Sequence, residues 1–259
     1  MGKDKEAIAS FDKAVKFQPD LCIAWNKRAI GLGNLGRYEE AIISCDKALK
    51  FQPDYAAAWD NRGLALLNLG RYEEAIASFD RAVKLQPDYY DAWYNRGNAL
   101  DQLGRYEEAI TSYDQAIRFN PDDYIVWNKR GNMLLFDVGR YEEAIASYDQ
   151  VLKLKPEYYI AWTCRGIALA GLKRYREAIT CYDQVLKFKP DDYDAWTSRG
   201  DSLFNLERFE EAIASWDKAL EIEHNDEVSR KRELTLFLLG KNGSFDNLAD
   251  FMDSLKEQD

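Results

Sequence analysis

The chain has 259 residues, of which 46% are hydrophobic and 31% are charged, so it carries enough apolar material for a packed core and too much for a disordered protein. Its formal net charge is −10 at pH 7, so a DNA or RNA phosphate backbone would meet net repulsion. The composition therefore argues against disorder and against nucleic acid as the main partner.

Cysteine spacing and apolar runs give no sign of secretion or of a membrane span. The four cysteines form no CxxC pair, which argues against a zinc site and against a disulfide framework. No apolar run approaches the roughly 18 residues of a membrane-spanning helix, and the first residues, MGKDKEAIAS, lack the apolar segment of a signal peptide. We therefore expect a cytoplasmic protein with no metal, no cofactor and no membrane partner.

A repeat of 34 residues, lengthened once to 35, organises the chain. Tryptophan and proline both recur at this step, and a fixed period in this range indicates a solenoid or a propeller. The tryptophans are Trp25, Trp59, Trp93, Trp127, Trp162 and Trp196, and the prolines are Pro19, Pro53, Pro87, Pro121, Pro156 and Pro190. The period divides residues 22–226 into six predicted units: 22–55, 56–89, 90–123, 124–158, 159–192 and 193–226.

Residues 1–21 match only the second half of a unit. The stretch GKDKEAIASFDKAVKFQPD aligns with GRYEEAIASFDRAVKLQPD of residues 70–88, and its apolar residues recur with helical spacing. Such a helix normally packs against a first half that precedes it. Three interpretations stay open: a longer native chain, a trimmed chain, or a homo-oligomer contact through this half-unit.

Each full unit predicts two helices of about 14 residues. In the unit 56–89, a stripe with Trp59, Gly63 and Leu66 is followed, after Gly70, by a second stripe that starts at Tyr72. The glycine predicts a helix C-cap, and each Pro-Asp pair is expected to stop the second helix and to cap the next one with its aspartate. The extra residue in 124–158 predicts a longer turn or a bulge.

The last segment, 227–259, is predicted to be a degenerate seventh unit that acts as a C-terminal cap, since terminal repeats must cover the core toward water. VSRKRELTLFLLGK predicts its first helix. After a turn at Asn242-Gly243-Ser244, the stretch from Phe245 to Leu255 mirrors a second helix.

These recurring positions resemble the tetratricopeptide repeat. In the unit 56–89 the family pattern is matched by Trp59, Gly63, Ala75, Phe79, Ala82 and Pro87, with Arg62 and Leu66 as departures. The resemblance implies an all-α, right-handed superhelical solenoid of antiparallel helix pairs, with about 15 helices. It also implies that the first helix of each unit lines a concave groove, in which family members hold extended peptides or helices.

No group of residues predicts catalysis. The GxGxxG at Gly31–Gly36 falls at a helix end, whereas a dinucleotide site needs it between a strand and a helix. His224 is the only histidine and replaces a loop proline, with no recurring nucleophile beside it. We therefore expect that the chain is not an enzyme.

A recurring pair of opposite charges predicts a structural ion-pair ladder, because a planar guanidinium can bind a carboxylate with two hydrogen bonds. Every unit has an arginine three residues after its tryptophan and an aspartate one residue after the aromatic position of its second helix. These residues are Arg28, Arg62, Arg96, Arg130, Arg165 and Arg199, with Asp46, Asp80, Asp114, Asp149, Asp183 and Asp217. The alternative is that both groups are simply solvated.

By analogy with the family, four positions of each first helix face the groove: the second, fifth, sixth and ninth, counted from the residue three before its tryptophan. The resulting candidates for peptide binding are Asn26, Lys27, Asn61, Tyr94, Asn95, Asn98, Asn128, Lys129 and Asn132. A row of asparagines offers donors and acceptors to an extended peptide backbone; the alternative is a row of merely solvated polar residues.

The expected function is a non-catalytic protein–protein interaction scaffold that binds a peptide or protein segment in this groove. The alternative is a sensor or recruiting arm of a larger signalling or enzymatic protein, whose catalytic domain is absent from this chain.

Overall fold

The structure is a computed structural model that describes residues 2–240. This part of the chain is all α, as predicted, and contains fourteen α-helices, one π-helical segment and no strand. The helices are α1 Gly2–Phe17, α2 Cys22–Asn34, α3 Tyr38–Phe51, α4 Ala56–Asn68, α5 Tyr72–Leu85, α6 Tyr90–Gln102, α7 Tyr106–Phe119, α8 Tyr124–Asn132, α9 Tyr141–Leu154, α10 Tyr159–Gly171, α11 Tyr175–Phe188, α12 Tyr193–Asn205, α13 Phe209–Ile222 and α14 Asp226–Leu238. None of these helices is long and apolar enough to cross a membrane.

The chain forms two compact units, Met1–Met133 and Leu134–Asp259. In the first, α2 packs on α3, α4 on α5 and α6 on α7, and the second helix of each pair also packs on the first helix of the next pair. In the second, α10 packs on α11 and α12 on α13, while α13 also packs on α14. We call the even-numbered helices, α2 to α14, the first helices. The odd-numbered helices, α1 to α13, are the second helices.

Glycine in a first helix lets a large side chain of the paired second helix pack directly against its backbone. Phe79 and Tyr113 are fully buried in this way. A Cβ added at Gly63 would lie 2.6 Å from Phe79 Cε1, and one added at Gly97 would lie 2.5 Å from Tyr113 Cε1. These distances are well below van der Waals contact, so the predicted close approach of the paired helices is confirmed.

The recurring tryptophans and prolines are joined by a hydrogen bond. In all six cases the indole Nε1 donates to the carbonyl oxygen of the proline six residues earlier, at 2.8–2.9 Å. Proline cannot continue the second helix, and its carbonyl ties the turn to the first helix that follows. One contact therefore accounts for both sequence periodicities.

The first helices end as predicted in four places, where glycines adopt positive φ: Gly36, Gly70, Gly104 and Gly139. Lys173 and Glu207 adopt the same left-handed conformation, at φ 61° and 59°, although they are not glycines. The prediction that the aspartate of each Pro-Asp pair caps the next helix was wrong. In the first helices α2 to α12, the N-cap is the residue that follows this aspartate, or follows Glu157 in the case of α10. Only two of these N-cap residues, Asp123 and Asp192, accept a hydrogen bond with their side chains.

The extra residue of 124–158 is absorbed in a π-helical segment, Met133–Asp137. The segment directly follows α8, which has only nine residues. A π-turn accommodates one additional residue without breaking the helical path. Of the two alternatives that the insertion predicted, the bulge is the one observed.

Near the C-terminus, α14 begins at Asp226 and its N-cap Asn225 accepts a hydrogen bond from the Val228 amide. The predicted turn at Asn242-Gly243-Ser244 and the predicted helix from Phe245 to Leu255 lie outside the described residues.

Candidate functional site

The arginines of the recurring charge pair each donate from Nε to an aspartate sixteen residues earlier, at 2.6–2.8 Å. Each bond links a first helix to the second helix that precedes it. The pairs are Arg28–Asp12, Arg62–Asp46, Arg96–Asp80, Arg130–Asp114, Arg165–Asp149 and Arg199–Asp183. Sequence reasoning missed Asp12, and it also missed Arg232, which pairs with Asp217.

A second contact joins an arginine to the second helix of its own pair, and it is made by Arg28, Arg62, Arg96, Arg165 and Arg199. Arg62 Nη1 donates to the buried Ser78 hydroxyl at 2.7 Å, and Arg165 donates to Cys181 Sγ at 3.0 Å in the equivalent place. Each such arginine therefore connects three helices. A serine or cysteine directly before the aromatic position recurs along the sequence, and this signal could have revealed the second contact.

The asparagine candidates on α2 and α4 bind each other. Asn26 is buried, and its Nδ2 donates to the Tyr55 hydroxyl at 3.3 Å. Asn61 Nδ2 donates to Asn26 Oδ1 at 3.0 Å and to the Ala57 carbonyl at 2.8 Å. The donors of Asn61 are therefore used inside the protein, where they hold α2 and α4 in register.

Asp60 holds on α4 the position that Asn26 holds on α2. Its partners Tyr89 and Asn95 correspond, one unit later, to the Tyr55 and Asn61 that bind Asn26. Burial raises the pKa of its carboxyl to about 6, and the nearby Asp91 acts in the same direction. Hydrogen bonds from Asn95 and Tyr89 oppose this shift because they favour the ionised form. Asp60 Oδ1 is buried and has no hydrogen-bond partner within residues 2–240.

The other candidates lie on α2, α6 and α8. Tyr94 stacks on Tyr90 with ring centroids 6.3 Å apart, and Asn98 Oδ1 accepts from the Tyr113 hydroxyl at 3.0 Å. Asn128 Oδ1 is buried and accepts no hydrogen bond in the described part of the chain. The remaining candidates are at least partly exposed: Lys27, Lys129 and Asn132.

A cavity of about 260 Å³ opens between α2, α3 and α4, and we call it the α2–α4 pocket. Its apolar walls include Ile30 and Leu64, which hold the ninth positions of α2 and α4. Three asparagine side chains also line it: Asn34, Asn61 and Asn68. Of these residues only Asn61 was a predicted candidate. Aliphatic side chains at two successive ninth positions were the missed signal.

The three asparagines of the α2–α4 pocket use their Nδ2 groups as donors within the protein. Asn34 Nδ2 donates to Asp4 at 3.2 Å, and Asn68 Nδ2 donates to the Leu64 carbonyl at 2.8 Å. The Nδ2 of Asn61 is held as described above. None of the three Oδ1 atoms accepts a hydrogen bond from residues 2–240. The pocket therefore combines aliphatic walls with hydrogen-bond acceptors.

Sequence models of the tetratricopeptide repeat match the chain over residues 22–55, 44–77, 61–124, 112–146, 134–173 and 165–227. The chain belongs to the tetratricopeptide repeat family. Membership of this family supports a role as a protein–protein interaction scaffold. A comparison with curated protein sequences found no match.

Several solved structures share the fold of the chain. YrrB, described as a TPR protein with an unusual peptide-binding site, is 24% identical with a TM-score of 0.64, and the match covers 71% of this chain and 95% of YrrB. The C-terminal part of a TPR repeat-containing protein from Cytophaga hutchinsonii is 21% identical with a TM-score of 0.72, covering 88% and 94% of the two chains. MamA from Desulfovibrio magneticus RS-1 is 21% identical with a TM-score of 0.58, covering 65% and 94%.

Proposed function

We propose that this tetratricopeptide repeat protein is a non-catalytic scaffold that binds an extended peptide segment along the first helices of residues 2–133. In this proposal an apolar side chain of the peptide enters the α2–α4 pocket. The observation that carries the proposal is that aliphatic side chains line this pocket together with three asparagines whose Oδ1 atoms accept no hydrogen bond from residues 2–240.

The chemistry of the pocket fits an extended peptide. Ile30 and Leu64 supply apolar surface to a side chain, and Leu64 is already 39% exposed. The Oδ1 atoms of Asn34, Asn61 and Asn68 accept from backbone N–H groups, which are present at every residue of a peptide except proline. The affinity for the peptide then comes from apolar burial and from main-chain hydrogen bonds. Because every peptide has the same main chain, the site does not require one exact peptide sequence.

The asparagine row has a second role in this proposal, which is to preorganise the pocket. The bonds of Asn61 to Asn26 and to the Ala57 carbonyl fix the direction in which its Oδ1 points. A fixed acceptor costs less conformational entropy when the peptide binds. Further along, Tyr94, Asn98 and Lys129 remain candidates for contacts with the rest of the peptide.

A pair of matched substitutions tests this proposal. Asn34 is exposed and lines the α2–α4 pocket, so Asn34→Phe places a phenyl ring across the pocket without disturbing the core. Asn205 holds the same helix position on α12 and is also exposed, so Asn205→Phe is the control. Both variants should keep the helical content of the parent by circular dichroism.

The measurement is selection from a phage-displayed library of random twelve-residue peptides on the parent and on each variant. We expect a group of peptides that the parent and Asn205→Phe both enrich and that Asn34→Phe loses. Enrichment of the same peptides by a folded Asn34→Phe variant would show that the α2–α4 pocket does not bind them.

A further inference from the structure

A second cavity lies in residues 134–240, between α12, α13 and α14, and we call it the α12–α14 pocket. Its volume is about 330 Å³, within the range of roughly 300–1,000 Å³ that is usual for ligand pockets. It is lined by Asp201, Phe204, Asn205, Trp216, Lys231 and Leu234. Of these residues only Asp201 holds a position that family analogy places on the groove, the ninth of α12.

The apolar part of the α12–α14 pocket is mainly aromatic. Trp216 is 1% exposed, and its ring lies 5.9 Å from that of Phe204, tilted by 41°. Leu234 of α14 completes the apolar lining. Because Trp216 is almost fully buried behind them, the partly exposed side chains of Phe204 and Leu234 supply the surface that an apolar ligand side chain can reach. The cavity is also larger than the α2–α4 pocket, at about 330 Å³ against about 260 Å³.

The polar lining of the pocket consists of two charged residues, Asp201 and Lys231, and the neutral amide of Asn205, and Glu227 lies next to Lys231 outside the lining. Asp201 is held by two donors, since its Oδ1 accepts from Trp216 Nε1 at 3.1 Å and its Oδ2 from Lys231 Nζ at 3.1 Å. Lys231 Nζ also lies 3.0 Å from Glu227, whose side chain is 77% exposed. Two carboxylates therefore share one ammonium group, and the trio carries a net negative charge.

This charge favours a basic ligand over an acidic one. Glu227 is exposed, and within residues 2–240 it shares the Lys231 ammonium group with Asp201, so a Lys or Arg next to the bound side chain would find an accessible carboxylate. An acidic peptide would meet repulsion from the trio and from a chain of net charge −10. The α2–α4 pocket differs, because its polar lining residues are uncharged: three asparagines and Tyr38.

We propose that the α12–α14 pocket is a second peptide-binding site, which takes a large apolar side chain that has a lysine or arginine within two residues of it. This site extends the proposed scaffold function to a partner segment of defined chemistry. The proposed second site uses residues of the second compact unit alone, so it can be tested independently of the α2–α4 pocket.

The same two substitutions separate the two proposals, with their roles exchanged. Peptides that bind the α12–α14 pocket should be enriched by the parent and by Asn34→Phe, and lost by Asn205→Phe. They should share a Leu, Met or Phe with a nearby Lys or Arg. Replacing that apolar residue by glycine in a synthetic peptide should weaken binding to the parent about tenfold or more.

A second variant tests whether the carboxylate of Glu227 attracts the basic residue of the peptide. It leaves the pocket itself unfilled. Glu227→Gln should weaken binding of the selected basic peptide by about threefold to tenfold at low salt, because an exposed ion pair contributes little. A peptide with glutamine in place of its lysine or arginine should bind the parent and Glu227→Gln equally.

Two results would overturn the second site. One is that no peptide is lost specifically by a folded Asn205→Phe variant, and the other is that the lost peptides are acidic or lack a large apolar residue. Either result leaves the α2–α4 proposal intact, because that proposal depends on the Asn34→Phe comparison alone.

Discussion

Replacing Asp60 with asparagine should stabilise the protein at neutral pH. The Asp60 carboxyl is 6% exposed, and burial raises its pKa from the ordinary value of 3.8 to about 6. A difference of about two pKa units corresponds to about 3 kcal/mol between the ionised and neutral forms. Asn26, in the equivalent place on α2, shows that an asparagine fits this position with tyrosine and asparagine partners.

The sign of the pH dependence follows from proton binding. Because the pKa of Asp60 is higher in the folded protein, the folded state holds more protons than the unfolded state between about pH 4 and pH 6. Its contribution to the free energy of unfolding therefore falls as the pH rises through this window and stays low above it. Asparagine does not ionise, so Asp60→Asn should be more stable by about 1–3 kcal/mol at pH 7.5 and equally stable near pH 4.

The assay is urea unfolding followed by circular dichroism at pH 4, 5, 6 and 7.5, with midpoints compared between parent and variant. Asp88→Asn is the control, because Asp88 is exposed in the loop before α6. A stability difference that is the same at every pH would refute the reasoning. So would a parent that is more stable than Asp60→Asn at pH 7.5.

Three further outcomes follow from the packing. Gly97→Ala should lower the free energy of unfolding by about 1–3 kcal/mol, since its Cβ would overlap the buried ring of Tyr113, and urea unfolding measures the loss. Glu207→Gly should raise the free energy of unfolding by about 1 kcal/mol in the same assay, because residue 207 has positive φ. In the native protein, iodoacetamide at pH 8 should label Cys22 first, as judged by mass spectrometry. The other three cysteines are buried, and burial raises the pKa of the Cys45 thiol to about 12.

The helical pairing was predictable because it depends on local pattern. The 34-residue step, the glycine at the end of the first helices and the small residues between paired helices each act within one unit, and the structure places them as expected. The error in capping has a local cause as well. The first residue of α4 is Ala56, so Asp54 lies one residue too early to be its N-cap.

The candidate site was less predictable, since it depends on contacts between units. The bond from Asn61 to Asn26 joins residues 35 positions apart, and no local pattern shows which of these amides is used internally. The α2–α4 pocket likewise needs aliphatic residues at Ile30 and Leu64 to lie beside Asn34. Family analogy indicated which helices carry the candidate site, but the packing of neighbouring first helices decides which of its groups are exposed.

The most direct test of the account is an isothermal titration with one peptide from the group that depends on the α2–α4 pocket, against the parent, Asn34→Phe and Asn205→Phe. The account predicts that Asn34→Phe weakens the affinity about tenfold or more, while Asn205→Phe binds like the parent. Equal affinity for the parent and a folded Asn34→Phe variant would contradict the claim that this pocket holds the peptide.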